Sequence, residues 1–162
     1  MREFDHEGLL LAEFQGKLFE RSTELDCSTP IFMRRFLHSD LLRFMDKNRS
    51  ISLSMDVDEA IQSIQDQFGE SNYGKEKYSK AAMFWIGYFY RYLSYTRDLS
   101  TSLAMHLFPY RQLNKVFYSF HTQDLEWCVR SLLELNHLSE DVLDKRQRLK
   151  AIIAAHERNR LV

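Results

Sequence analysis

The chain has 162 residues, of which 44% are hydrophobic and 28% charged, with a formal net charge of -1. That length suits one domain able to bury a core without staples, and the charge balance excludes both intrinsic disorder and the broad basicity of a general nucleic-acid binder. With 5 glycines and 2 prolines there is little turn chemistry for a many-stranded β fold, so an all-α, single-domain bundle of about six to eight helices is expected over 1–162.

The N-terminus, MREFDHEGLLLAEF, has acids on both sides of a short apolar run and no small-residue cleavage site, so it reads as no signal peptide and the expected location is cytoplasmic. Between Phe4 and Leu25, Leu10, Leu11, Phe14, Leu18 and Phe19 recur at helical spacing, with Glu13, Lys17, Glu20 and Arg21 on the complementary side: an amphipathic first helix. Thr29-Pro30 reads as an N-cap followed by proline at the first helical position, launching Ile31–His38. Ser39 caps Asp40–Lys47, as a separate helix or as the continuation of a bent one. Ser50–Met55, SISLSM, alternates like a lone strand but has no partner strand, and is read as loop. Asp56 and Glu59 have the form of a capping box for a helix through Ala60, Ile61, Ile64 and Phe68 that stops at Gly69.

Glu70–Lys77 is a polar surface loop, and Ser79 caps the helix that follows it. In that helix, Ala81–Arg97, the residues Trp85, Tyr88, Phe89, Tyr90, Tyr92 and Tyr95 cover every face, so the other segments must wrap it. Its apolar run, Ala81–Leu93, is shorter than the ~20 residues needed to cross a bilayer and contains Arg91, so no membrane span is expected. Ser100 then caps a short helix, Pro109 breaks the chain, and a further helix runs through Leu113, Phe117 and Phe120. Thr122 starts the next, with Leu125, Cys128, Val129 and Leu132 on one side and Trp127 displaced from that stripe. From Ser139 a basic amphipathic helix spans 139–162, where Val142, Leu149, Ile152, Ile153 and His156 form a thin apolar seam among basic residues.

No P-loop, GxGxxG, HExxH or GxSxG signature occurs, so no catalytic residue, metal ligand or cofactor is assigned. Cys27 and Cys128 lie outside any CxxC or Cys/His cluster and are read as reduced thiols. Arg91 and Arg97, inside or at the end of the aromatic helix, each need a carboxylate or an aromatic face to offset desolvation, and Asp124 and Glu126 are candidate partners. Arg91, His121 and Asp124 are therefore assigned structural polar roles. Two cheaper patterns remain. Arg130 and His137 match the loose Arg-x(4–6)-His spacing of HEPN ribonucleases. Residues 100–121 have the outline of a helix-turn-helix without a glycine in its turn, which gives a possible DNA contact.

FWIGYFYRYLSYT (84–96), the spaced Ser100 and Pro109, and FHTQD (120–124) together resemble a family of small, largely uncharacterised bacterial helical proteins that carry a W-I-G-Y-x-Y-R-Y segment followed some 25 residues on by F-H-T-x-D. The shared part covers roughly 80–133. Members of that family resemble antitoxins of small toxin cassettes, so the resemblance implies a non-enzymatic module that neutralises a partner toxin by direct contact. The basic end after Ser139 departs from the shorter members. The interface is expected to draw on exposed members of Tyr88, Tyr92, Tyr95, Arg97 and Trp127, and on Arg146, Leu149 and Ile153 of the seam, because Tyr, Trp and Arg dominate hot spots. A HEPN-like ribonuclease using Arg130 and His137, and a phage-encoded inhibitor of a host defence complex, are the alternatives; a homodimer is compatible with each.

Overall fold

The computed structural model describes residues 1–47 and 54–160, with the side chains of 146–148 outside the description. Ser50–Leu53, most of the segment read as loop, therefore lie outside the described residues, as does the side chain of Arg146; Ser54 and Met55 form a turn and a bend.

Nine helices occur among the described residues and no strand: α1 His6–Ser22, α2 Thr29–Leu37, α3 Asp40–Lys47, α4 Val57–Phe68, α5 Lys80–Arg97, α6 Thr101–Leu107, α7 Tyr110–Phe120, α8 Leu125–Leu135 and α9 Asp141–Arg160. No helix among them is long and apolar enough to cross a membrane. The all-α class and the central place of the aromatic helix are as the sequence predicts. Ala82, Met83, Ile86, Phe89, Tyr90 and Leu93 of α5 are all buried within a core that draws on every other helix.

Local chemistry sets most boundaries. Asp56 accepts from the Glu59 N–H at 2.8 Å while Glu59 reaches back to the Asp56 N–H at 3.3 Å, closing the predicted capping box. Ser79 and Ser100 cap α5 and α6 through the Ala82 and Leu103 N–H groups. Ser39 accepts from the Leu42 N–H, which separates α2 from α3 as two helices. Two assignments shift by a residue or two. Ser28 is the N-cap of α2, with Thr29 and Pro30 inside the first turn, because the Thr29 hydroxyl is taken by the Tyr78 N–H. Asp124, in place of Thr122, caps α8 by accepting from the Glu126 N–H at 2.7 Å.

The closest helix pair is α1 against α5. They run antiparallel, with Gly8 beside Tyr95, Gln15 beside Gly87 and Gly16 beside Phe84. At Gly87 a Cβ would lie 2.6 Å from the Gln15 carbonyl oxygen and 2.8 Å from Phe19 Cγ, so only glycine permits this separation. Gly16 serves Phe84 in the same way: its missing Cβ would stand 2.9 Å from the ring.

Candidate partner-binding surface

The aromatic helix is not covered on every side. Ala81 is exposed, and Phe84 and Tyr88, three and seven residues on, are half-buried, so one stripe of α5 stays open. Phe84, Trp85 and Tyr88 form one wall of a groove of about 450 Å³. Phe117 and His121 from the end of α7 and Gln123 and Leu125 from the start of α8 form the other, and Glu20 of α1 stands at its edge. His121 is fixed there: its ring stacks on Phe117 with centroids 4.6 Å apart, and Nδ1 lies 2.9 Å from the Phe117 carbonyl oxygen. Burial, reinforced by the charge of Glu13, pushes the Tyr88 phenol up.

Three of the predicted interface residues are withdrawn from the surface. Tyr92, Tyr95 and Arg97 are 6%, 2% and 7% exposed, because the last turns of α5 are covered by the N-terminal segment and α8. Arg97 holds Glu126 bidentately, Nη1 to Oε1 at 2.6 Å and Nη2 to Oε2 at 2.8 Å, and the Tyr92 hydroxyl donates to the same carboxylate. The Arg97 hydrogen bonds hold the Glu126 carboxyl below its ordinary range. The Tyr95 hydroxyl donates to Asp5 at 2.6 Å under the Arg2 guanidinium, and burial with that carboxylate raises its pKa to about 12.

Arg91 is a structural residue, but its partner is neither Asp124 nor Glu126. Its Nη1 meets Asp46 Oδ1 at 3.1 Å, and its Nε and Nη2 donate to Gln15 Oε1 at 2.9 and 2.8 Å. Asp46 in turn accepts from the Thr101 N–H and hydroxyl, and Gln15 donates to the Gly87 carbonyl, so every polar atom around the buried guanidinium is used.

Other assignments fall on the surface. Trp127 is 39% exposed, with its ring edge-on to Phe120. Arg130 borders a polar depression with Arg97, Glu126, Glu140 and Asp144, and His137 is not among the residues lining it. His137 has φ +54° and donates its N–H to the Glu134 carbonyl as α8 ends. In the helix-turn-helix outline, Arg111 of α7 is bound to Glu76 at 2.9 Å and Gln112 to Asn136 at 2.6 Å, which engages two of its polar side chains internally.

Among the described residues, the C-terminal helix docks at its start, through buried Leu143 and half-buried Val142. From Leu149 to Arg160 every residue is exposed. Leu149, Ile152 and Ile153 are 57%, 56% and 51% exposed, and at positions i, i+3 and i+4 they share one face. Sequence reasoning missed Glu13, Glu20, Phe84 and Phe117. Gly16, set between the two glutamates on α1, was the available signal that a ring comes close to that face.

Among the described residues no three His, Cys, Asp or Glu side chains form a group able to hold a metal ion. Comparison with protein-family models, with curated proteins and with solved structures finds no match in any of the three.

Proposed function

We propose that this chain is a non-enzymatic protein-binding module, an antitoxin that neutralises a partner toxin by direct contact. The observation that carries the reading is the seam of α9: three large aliphatic side chains more than half exposed on one face of a helix whose last three turns are exposed throughout. Clustered exposed aliphatics of this kind mark contact sites, since leaving them in water forgoes roughly 1.5 kcal/mol or more for each side chain that a partner would bury. Lys145 and Arg160 continue that face at its two ends and Lys150 borders it, which suits a partner with an acidic rim. The resemblance of 84–96 and 120–124 to antitoxin-like proteins supplies the class of partner. Neutralisation by contact requires a stable scaffold and a complementary surface, and the closed hydrogen-bond networks around Arg91 and Arg97 provide the first.

The test is affinity capture of the tagged chain from its native host, with mass spectrometry and nucleic-acid detection on the eluate. One near-stoichiometric protein, lost from a Leu149→Asp/Ile153→Asp variant of unchanged far-UV spectrum, is the expected result. RNA or DNA recovered without protein would overturn the reading.

A further inference from the structure

Glu13 and Glu20 are seven residues apart on α1, two turns, and so share a face with Gly16 between them. Phe84 packs on Gly16 and Glu20 lines the groove, while Glu13, two turns earlier, acts on Tyr88 through its charge. Neighbouring acids are neutralised: Glu24 by Arg21 and Lys80, Asp58 by Arg21, Glu76 by Arg111. Glu13 and Glu20 have neither an ion pair nor a side-chain hydrogen bond among the described residues, and Lys17, between them in sequence, pairs with neither within 4.0 Å.

A second feature is independent of charge. Trp85 is 93% buried, being 7% exposed, and lines the same groove, yet its indole N–H has no acceptor among the described residues. Since no fully buried polar side-chain atom lacks a partner there, that N–H belongs to the sliver of Trp85 still open to solvent. The groove thus combines a donor in its wall, aromatic faces and one carboxylate without an ion pair, Glu20, at its edge. An occupant needs an acceptor, an apolar or planar stem and a cationic head. An arginine residue in a peptide chain has all three: a main-chain carbonyl, three methylenes, and a guanidinium that stacks on rings and grips carboxylates. Leucine or tyrosine would leave the Glu20 carboxylate unanswered.

Building on the protein-binding reading, the geometry points to this groove as the seat of an arginine side chain of the partner protein, with its main-chain carbonyl at Trp85, its stem along Phe84 and Tyr88, and its guanidinium at Glu20. The basic seam of α9 and the Glu20 edge of this groove then grip the partner at two sites of opposite charge.

Trp127→Phe leaves Trp85 as the one tryptophan, so its emission reports on the groove. The probes are N-acetyl-arginine methylamide and its neutral isostere N-acetyl-citrulline methylamide. Expected are a saturable change with a millimolar constant for the arginine probe, binding about five- to tenfold weaker for citrulline, and a roughly three- to tenfold loss of arginine affinity in Glu20→Gln with citrulline unaffected. If Glu20→Gln is poorly folded by circular dichroism, weakening of arginine binding by salt in the parent protein replaces it, since citrulline binding should not respond. No saturable change, equal binding of the two probes, or indifference to both Glu20→Gln and salt overturns the assignment. Failure here with intact capture of a partner through α9 removes the arginine seat alone; arginine binding without any captured protein removes the antitoxin reading instead.

Discussion

Replacing Asp46 by alanine removes the only carboxylate that faces Arg91 among the described residues. The guanidinium is 4% exposed, its Nη1 sits 3.1 Å from Asp46 Oδ1, and its other two donors share the single Gln15 oxygen. Burial already lowers the Arg91 pKa, with Asp46 opposing the effect, but arginine stays charged, so the variant holds an uncompensated cation in the core. At an effective dielectric near 20 a pair at this separation is worth about 5 kcal/mol, and removing one partner of a buried pair costs about 3–5 kcal/mol. The Thr101 N–H and hydroxyl also lose their acceptor, which adds to the cost. Against the roughly 5–15 kcal/mol that stabilises a domain this is about a fifth or more, equivalent to a fall in Tm of about 6–20 °C for a chain of this size. Equilibrium urea unfolding followed by circular dichroism measures it. Arg91→Met/Asp46→Leu should cost less than Asp46→Ala alone, because no charge is then stranded. A single-variant loss below about 1 kcal/mol, or a double variant worse than the single, refutes the reasoning.

Gly87→Ala should lower Tm by several degrees, since the new methyl would lie 2.6 Å from the Gln15 carbonyl oxygen and overpacking of ~1–3 kcal/mol exceeds the gain in helix propensity; an unchanged or raised Tm in differential scanning calorimetry contradicts that spacing. Glu126 has a folded pKa below its ordinary 4.5, so the stability it contributes is present above that value and disappears as the pH falls through the lower folded one. Glu126→Gln should therefore be less stable than the parent at pH 7 and show a shallower loss between about pH 5 and pH 3 in denaturant midpoints. Burial pushes the Cys128 thiol up to about 11, and both cysteines are buried, so a thiol reagent at pH 8 should react with neither until the chain unfolds.

What the sequence revealed was chiefly local. The Asp56–Glu59 box and the Ser79 and Ser100 caps are contacts over three residues, and their chemistry is written in the residues themselves. The partner of Arg91 lies 45 residues away, and nothing in its neighbourhood marks Asp46 above Asp124. Periodicity failed in an instructive way at α5. Because aromatic side chains occupy every face, no stripe stands out, and the open one through Ala81, Phe84 and Tyr88 is decided by how far α1, α7 and α8 reach around it. The same cause misled the choice of surface tyrosines: Tyr92 and Tyr95 look like Tyr88 in sequence, but Phe4 and Glu126 cover the first and Phe4 and Asp5 the second. On α9 the seam was legible, but not where docking ends; Leu143 anchors the helix, and the residues beyond Lys150 stand clear.

The proposal that this chain neutralises a toxin by contact through α9 is tested most directly by growth. The captured partner is expressed alone, with the parent chain, and with Leu149→Asp/Ile153→Asp. The account predicts arrest with the partner alone, recovery with the parent, and arrest again with the double variant at equal protein level. A harmless partner, or full recovery with the aspartate variant, would contradict it.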